Sequence, residues 1–298
     1  MRTAIMLFSL LFGFIALPVH GQDDDRFANV EIKITPIRDG LALLTGQGGN
    51  IVVSTGADGS FIIDDQFAAL SDKIRAAIAT LSDQPVRFVL NTHFHGDHTG
   101  GNENFGLAGA VIVAQDNVRK RMSHAQFLET FKRDLKAAPA AALPLVTFSD
   151  GLSLHLNGQD VRAIHVAHAH TDGDAMVWFE QANVLHMGDI YFNGLYPFID
   201  VDAGGGINGM IAGVDKALTL IDDSAVVVPG HGPLSNRAEL VAYGEMLRGF
   251  RARVAELKQQ DKSLDQIIAA KPTAKYDAIW AGQFISPELL IGFIYKTL

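Results

Sequence analysis

Three histidines and an aspartate occupy six consecutive positions in the segment NTHFHGDHTGG, residues 91–101. His93 and His95 are two positions apart, so their imidazoles share a face if the segment is extended. Asp97 and His98 follow in the next turn, where they can face a second point nearby, and one metal ion cannot easily take all four side chains. Imidazole and carboxylate together suit zinc. The segment therefore predicts a zinc site, and a solvated histidine-rich loop is the alternative.

The composition narrows the chemistry further. The chain has 298 residues, of which 48% are hydrophobic, so it can bury an enzyme-sized core. It contains no cysteine, and any metal must therefore be bound through nitrogen and oxygen. The formal net charge is −9 and the basic residues do not cluster, which disfavours nucleic acid as a partner. We expect a small-molecule substrate, and the sequence leaves the oligomeric state open.

The N-terminal segment, MRTAIMLFSLLFGFIALPVHGQDDD, has the layout of a secretory signal peptide. Arg2 precedes an apolar run from Ala4 to Leu17, which is followed by Pro18 and then by three aspartates. The run is shorter than the roughly 20 residues that a membrane-spanning helix needs. The sequence thus predicts a cleaved signal over residues 1–21 and one mature domain over residues 22–298. We expect no membrane span in the mature protein and a periplasmic or secreted location.

Short β-type runs dominate the first half of the mature chain. They begin at Val30, Leu41, Asn50 and Ser60 and are separated by Gly and Asp turns. A helical spacing of apolar residues follows over residues 67–81, and VRFVLNT is typical of a buried strand that runs into the histidine segment. The strand AVIVA and a long helix over residues 115–138 are predicted next.

The second half repeats the mixture of strands and helices. Strands are predicted at VTF, LSLHL, VRAIHVAH, AMVWFE, NVLHMGD and AVVVPGHG. Helices are predicted over residues 208–220 and 237–260 and after Pro287. Two halves that each combine a sheet with helices predict an α/β (α+β) fold in which two packed sheets are covered by helices on both faces.

The motif His93-Phe94-His95-Gly96-Asp97-His98 resembles the HxHxDH signature of the metallo-β-lactamase superfamily. The later positions expected in that family are also present in order: His170 in AHTDGD, Asp189 in HMGD and His231 in VVVPGHG. The resemblance covers essentially all of the mature chain. It implies the four-layer αββα sandwich of that family for residues 22–298.

The resemblance also implies two Zn²⁺ ions held by seven side chains. One zinc would be held by His93, His95 and His170, and the other by Asp97, His98 and His231. Asp189 would bridge the two ions, and Asp97 and Asp189 are the expected catalytic residues. In this family a hydroxide between the metals attacks the substrate carbonyl. The resemblance therefore implies an exported dinuclear zinc hydrolase.

Two choices between neighbouring residues remain open in the sequence. His168 lies two positions before His170 and would share its face on a strand, so it is the rival ligand, although the His-Thr context favours His170. Asp64 matches the aspartate that braces the metal-binding loop in the family, and Asp65 is an equal claimant. The candidate walls of a substrate cleft are the turn Gly46 to Gly49, the aromatic residues Tyr191, Phe192, Tyr196 and Phe198, and the glycine run Gly204 to Gly206. Asp172 and Asp174 are interpreted as turn residues.

Departures from the zinc β-lactamase pattern bear on the substrate. The best-known subclass has cysteine where this chain has Asp189, and a lysine where this chain has Phe192. The aspartate bridge is found in glyoxalase II-like thioesterases, lactonases, phosphodiesterases and nucleases of the superfamily. For an exported hydrolase we expect a cyclic amide or ester as substrate, opened by a β-lactamase-like or lactonase-like reaction. The alternatives are a glyoxalase II-like thioester hydrolase, a mononuclear iron enzyme similar to persulfide dioxygenases, and a non-catalytic metal-binding module.

Overall fold

The computed structural model describes residues 25–281 and 284–298. The predicted signal peptide, residues 1–21, lies outside this part of the chain. Among the helices of the described residues, none combines the length and the apolar character that crossing a membrane requires.

The first sheet has seven strands. Five of them precede the histidine segment: β1 (Lys33–Arg38), β2 (Leu41–Thr45), β3 (Ile51–Ser54), β4 (Ser60–Ile63) and β5 (Val86–Leu90). The sixth strand, β6 (Val111–Gln115), follows it. A separate hairpin of β7 (Gln126–Leu128) and β8 (Arg133–Leu135) comes before the seventh strand, β9 (Val146–Phe148). The meander β1–β4 is antiparallel, whereas the pairs β4–β5, β5–β6 and β6–β9 are parallel.

The second sheet has six strands in sequential order. They are β10 (Gly151–Leu156), β11 (Gln159–Val166), β12 (Asp174–Phe179), β13 (Val184–His186), β14 (Val226–Val228) and β15 (Ser235–Asn236). Only the β13–β14 pair is parallel.

Nine α-helices occur in the described residues. They are α1 (Ser71–Ala79), α2 (Gly96–Thr99), α3 (Asn102–Leu107), α4 (Asp116–Met122), α5 (Ile207–Leu220), α6 (Arg237–Gln259), α7 (Leu264–Ala269), α8 (Ala274–Trp280) and α9 (Pro287–Lys296).

The apolar side chains divide into layers, as the alternation of strand side chains requires. Leu43 points into the space between the sheets, where it belongs to one cluster with Val161 and Val177 of the second sheet. The next residue, Leu44, points to the opposite face and joins the cluster that includes α1 and α3. On the far side of the second sheet, α5, α6 and α9 pack against β11, β12 and β13; Met210 is one of their contacts. The predicted four-layer αββα sandwich is confirmed.

One predicted element is wrong. The helix expected over residues 115–138 ends at Met122, and the chain then forms the β7–β8 hairpin, with Lys132 in the left-handed region at a φ of 50°. The apolar spacing of Leu128, Phe131 and Leu135 fits a helix, but it fits equally a short hairpin that turns these side chains toward the rest of the fold. The helices α7 and α8 were not predicted, although Ser263 and Gln266 form a capping box at the start of α7.

Candidate metal centre

The seven predicted ligands come from loops at one end of the two sheets. The chain leaves β5 at Leu90 and reaches His93 and His95 within five residues, and Asp97 and His98 lie on the short helix α2. The remaining three lie in later loops: His170 between β11 and β12, Asp189 in a 3₁₀ turn after β13, and His231 after β14. β5 belongs to the parallel half of the first sheet and β13–β14 is the parallel pair of the second. The carboxyl ends of these strands therefore face a common site.

The structure brings all seven side chains into three overlapping groups. Within each group the potential ligand atoms lie within 4.8 Å of one another. The groups are His93–His95–His170, His93–His98–Asp189, and Asp97–His98–His231. Asp189 Oδ2 also lies 3.6 Å from His170 Nε2 and 3.5 Å from His231 Nε2, so its carboxylate touches both ends of the cluster.

The first group presents three nitrogen lone pairs to one point. His170 Nδ1 donates to the carbonyl oxygen of Phe198 at 2.8 Å, and His95 Nε2 lies 2.9 Å from the carboxylate oxygen Oδ2 of Asp200. Because each outer nitrogen carries its hydrogen there, His170 Nε2 and His95 Nδ1 have lone pairs, and these two atoms are only 2.8 Å apart. Burial lowers the pKa of His170 to about 4, so this imidazole is neutral at neutral pH. With lone pairs on both atoms, the two nitrogens can bind one metal cation together.

His93 completes this group in the same way. Its Nδ1 lies 3.0 Å from Thr92 Oγ1, which itself donates to Asp64 at 2.8 Å, so the ring nitrogen donates and Nε2 is left with a lone pair. His93 Nε2 is buried and has no hydrogen-bond partner among the described residues. Burial lowers the pKa of His93 well below its ordinary value. A buried, neutral imidazole with a free lone pair is the form that binds a metal.

The second group combines carboxylates with histidines. His98 Nε2 faces His231 Nε2 at 3.3 Å, and His231 Nε2 is 3.2 Å from Asp97 Oδ2. Burial alone lowers the pKa of His231, but Asp189 and Asp97 outweigh it and raise this pKa to about 9. Burial likewise raises the pKa of Asp97, and the facing His98 and His231 more than reverse that shift. Without a metal, protons on the histidines balance these buried carboxylates, and a divalent cation can replace them.

Asp64 holds the histidine loop. Its Oδ1 accepts from the Thr92 backbone N–H at 2.7 Å, and its Oδ2 lies 2.8 Å from Nδ1 of His98. Asp65 instead accepts from the backbone N–H of Gly101 at 2.9 Å and contacts none of the seven side chains through a hydrogen bond. Of the two candidates left open by the sequence, Asp64 is therefore the one that orients a predicted ligand.

Asp200 orients His95, and the sequence analysis missed it. Its Oδ1 accepts from the backbone N–H of Ala203 at 3.0 Å while its Oδ2 contacts His95, and only 2% of the residue is exposed. An aspartate in the loop PFIDVDAG carries no local signal for such a contact. The residue is brought to His95 by the packing of a loop 105 positions away.

The two rivals near residue 170 are separated by the end of a strand. β11 ends at Val166, so side chains no longer alternate over residues 168–170 and the expectation that His168 and His170 share a face was wrong. His168 is exposed with a φ of 54°, and its Nδ1 lies 3.0 Å from the carbonyl oxygen of Gly204. His170 is fully buried in the cluster.

The aspartates after His170 have different environments. Asp172 lies in the turn and accepts two hydrogen bonds of 2.7 Å from Arg121. Asp174, in contrast, is buried at the start of β12, where it accepts from the backbone N–H of Thr171 at 2.8 Å and from its hydroxyl at 2.5 Å. Burial raises the pKa of Asp174 to about 8. As interpreted, it acts in the turn and not as a ligand: its carboxylate accepts from Thr171, which follows His170.

The predicted cleft walls divide into packing and lining residues. Tyr191 and Tyr196 are buried in the core, and their hydroxyls bond Ser235 and Asp277 at 2.8 Å. Phe192 stacks on the His231 ring at a centroid distance of 5.4 Å. Of the four predicted aromatic side chains, only Phe198 lines the cavity over the cluster.

The two predicted glycine segments pack closely against the ligands and do not line the cavity over the cluster. A Cβ on Gly49 would lie 2.2 Å from Cε1 of His98, and a Cβ on Gly205 would lie 2.2 Å from the carbonyl oxygen of His170. Both positions therefore require glycine for close packing against the cluster.

A cavity of about 340 Å³ opens onto the cluster. Its floor is formed by His95, Asp97, Asp189 and His231, and its remaining wall is mostly apolar. A groove of about 510 Å³ beside α1 is larger, but none of the described residues that line it is a histidine. The cavity over the cluster is therefore the place where a small molecule can reach the potential ligands.

Comparison with known proteins agrees with this geometry. Residues 41–231 match the sequence model of the metallo-beta-lactamase superfamily. A metallo-beta-lactamase type 2 from Bacteroides fragilis is 23% identical over 246 residues, which is 78% of this chain and 90% of that protein. A hydroxyacylglutathione hydrolase from Methylococcus capsulatus is 31% identical over 105 residues, 35% of this chain and 33% of that protein.

Solved structures share the fold. A metallo-beta-lactamase from Pontibacter korlensis superposes with a TM-score of 0.61 at 19% sequence identity, covering 73% of this chain and 99% of that one. The sec-alkylsulfatase Pisa1 from Pseudomonas sp. gives a TM-score of 0.67 at 16% identity, covering 89% of this chain and 50% of that one. At these identities the likeness is one of architecture.

Proposed function

The chain belongs to the metallo-β-lactamase superfamily, and from that premise we propose that it is a hydrolase that binds two Zn²⁺ ions and opens a cyclic amide or ester. The observation that carries the proposal is the pair of ring nitrogens in His95 and His170, which face each other at 2.8 Å with both hydrogens bound elsewhere. Two lone pairs cannot hydrogen-bond to each other, and a metal ion bound by both nitrogens would account for their close approach.

Two ions fit the donors better than one. The potential ligand atoms of Asp97, His98 and His231 converge on a second point, where His98 Nε2 and His231 Nε2 are 3.3 Å apart. This group shares no residue with the group of His93, His95 and His170. Asp189 touches both, and its Oδ1 is buried without a hydrogen-bond partner among the described residues. This arrangement supports the assignment of His93, His95 and His170 to one zinc, Asp97, His98 and His231 to the other, and Asp189 to both.

The residues around the two zinc ions have distinct roles in this proposal. Two bound zinc ions supply a Lewis acid and activate water near neutral pH. Thr92, Asp64, Asp200 and the carbonyl of Phe198 each hold the outer nitrogen of a histidine, which fixes the ring orientation. Asp97 and Asp189 lie on the cavity floor with His231, so they are the carboxylates nearest to the reacting bond. We assign Asp97 and Asp189 the catalytic roles.

A thioester hydrolase is the second candidate. The hydroxyacylglutathione hydrolases share local similarity with this chain, which favours it. Against it, the cavity is lined by one Lys or Arg side chain among the described residues, Arg133, which can pair with one of the two carboxylates that a thiol such as glutathione carries. The C-terminal helix α9 contributes Leu290, Ile291 and Phe293 to the core and no residue to this cavity. These contacts favour a smaller amide or ester.

Metal analysis combined with a substrate panel tests the proposal. Protein purified without added metal should contain close to two zinc ions per chain and should hydrolyse a chromogenic β-lactam or lactone. Chelation should abolish this activity, and zinc should restore it. A single tightly bound iron without zinc would favour the oxygenase-like alternative, while hydrolysis of thioesters alone would favour the second candidate. A metal-loaded protein that hydrolyses no member of the panel would favour the alternative of a non-catalytic metal-binding module.

We propose in addition that the N-terminal segment exports the chain. The support is the layout of residues 1–21, a basic residue before a short apolar run. N-terminal sequencing of protein recovered outside the cytoplasm should start near Gln22, and an uncleaved N-terminus in the cytoplasmic fraction would contradict export.

A further inference from the structure

The β7–β8 hairpin forms the outer wall of the cavity. Leu128, Phe131, Arg133 and Leu135, all from this segment, line the same space as the cluster residues on the floor. The hairpin therefore lies where it contacts whatever part of a substrate extends beyond the reacting bond.

An aromatic wall leads outward from the cluster. The Phe198 ring packs against His95 at a centroid distance of 5.7 Å and against Phe131 of the hairpin at 5.1 Å. Phe131 in turn stacks on Phe284 at 5.9 Å. Phe131 and Phe284 are 41% and 48% exposed, so their faces remain available to a ligand. An apolar group attached to the reacting bond would be buried against this wall.

The Arg133 guanidinium has no polar partner in the part of the chain that the structure describes. Among the described residues it makes no side-chain hydrogen bond or ion pair, whereas the neighbouring Arg121 binds both oxygens of Asp172 and Lys132 pairs with Glu129. Arg133 is also the only Lys or Arg that the described lining of the cavity contains. A guanidinium offers up to five N–H donors in a fork that matches a carboxylate.

We propose that the site takes substrates that carry both a carboxylate, which pairs with Arg133, and an apolar group, which packs against Phe131, Phe198 and Phe284. This inference rests on the proposed function, since it names the substrate class of the same site. The chain has a net charge of −9 and two carboxylates on the cavity floor, so an anion gains nothing from the field of the protein as a whole. The Arg133 guanidinium therefore matches a single negative charge on the substrate.

Binding of a matched pair of compounds to the zinc-loaded protein tests the inference without turnover. The probes are 4-phenylbutyrate and its neutral analogue 4-phenylbutyramide, and their affinities are measured by isothermal titration calorimetry. Wild-type protein should bind the carboxylate more tightly. Arg133→Gln should weaken carboxylate binding about 5-fold and leave amide binding unchanged, and Arg133→Lys should recover part of the loss. Phe131→Ala should weaken both probes by a similar factor.

Lys136→Gln is the matched control, because it removes a positive charge from the same exposed segment at a position outside the cavity lining. It should behave as wild type toward both probes. A carboxylate bound only by zinc would keep the same preference over the amide in Arg133→Gln, and that result would overturn the inference. Failure of wild type to bind either probe would also overturn it. Absence of hydrolysis across the substrate panel would count against the proposed function instead, since the calorimetric result does not depend on turnover.

Discussion

Asp200 Oδ2 lies 2.9 Å from Nε2 of His95, and this contact decides which nitrogen of His95 faces the cluster. The carboxylate fixes the hydrogen on Nε2, so Nδ1 keeps the lone pair that points at His170. Burial raises the pKa of Asp200, but the contact with His95 outweighs burial and the net shift is downward. The carboxylate is therefore ionised at neutral pH and can hold the ring.

Asp200→Asn should weaken zinc binding at the first group by about 10- to 100-fold, because the amide removes the negative charge that orients His95. Competition with a chromophoric chelator measures the affinity. Asp172→Asn is the control, since it neutralises an aspartate that pairs with Arg121 and contacts no predicted ligand. Equal zinc affinities in the two variants would contradict the positioning role.

Asp189→Ala should remove more zinc than any other single carboxylate change, since among the seven side chains it is the carboxylate that touches both groups. We expect loss of more than one ion per chain and a fall in hydrolysis of roughly 100-fold or more. Elemental analysis and initial rates are measured together, with Asp172→Ala as the comparison. Mild and equal effects in the two variants would remove Asp189 from the metal centre.

The seven residues were selected by the resemblance of the motifs around them to those of the metallo-β-lactamase superfamily, and the structure brings them together. The order of strands and helices followed from periodicity, as at β5 and α5. What it could not supply were contacts that depend on tertiary packing. Asp200 meets His95 across 105 positions, and no local pattern marks that contact.

The β7–β8 hairpin shows a second limit of prediction from the sequence. Leu128, Phe131 and Leu135 have helical spacing, but Phe131 lies on the cavity side against Phe198, and the contact is made by a hairpin. Local spacing cannot separate these two arrangements when the segment is short. The alternation rule failed at His168 for a related reason, since it holds only inside a strand and β11 had already ended.

Gly49→Ala should displace His98, because the added Cβ would lie 2.2 Å from the ring carbon Cε1. We expect zinc affinity at the second group to fall by about 10-fold or more, with a loss of roughly 1–3 kcal/mol in the free energy of unfolding from overpacking. Gly96→Ala is the control within the same site, since nothing lies within 4 Å of its Cβ position. The prediction fails if zinc content and stability change equally in the two variants.

Asp174→Asn should change how stability depends on pH. Burial raises the folded-state pKa of Asp174 to about 8, above its ordinary value of 3.8, so between these values the folded protein binds more protons than the unfolded chain. The contribution of Asp174 to the free energy of unfolding of the wild type should therefore fall as pH rises through this window, by up to about 1.4 kcal/mol per pH unit. Asparagine does not titrate, so the variant lacks this pH-dependent contribution to the free energy of unfolding.

Urea unfolding of chelator-treated wild type and Asp174→Asn at several pH values isolates the effect, because the ligand histidines contribute equally to both proteins. The variant should gain stability relative to wild type as pH rises from about 4 to about 8, following the linkage sign above. A difference between the two proteins that stays constant over this range would show that Asp174 is ionised throughout.

His170→Ala should remove one of three nitrogen donors from the first group and, with it, the partner that faces His95 at 2.8 Å. We expect loss of about one zinc ion per chain and a fall in hydrolysis of at least about 100-fold. His168→Ala should keep both zinc content and rate within about 2-fold of wild type, because His168 is exposed and its ring contacts the carbonyl of Gly204. Both variants are measured in the same buffer by elemental analysis and initial rates. A His168 variant that loses zinc while the His170 variant retains it would reverse the assignment, since it would mean that the loop after β11 turns the other imidazole toward His95.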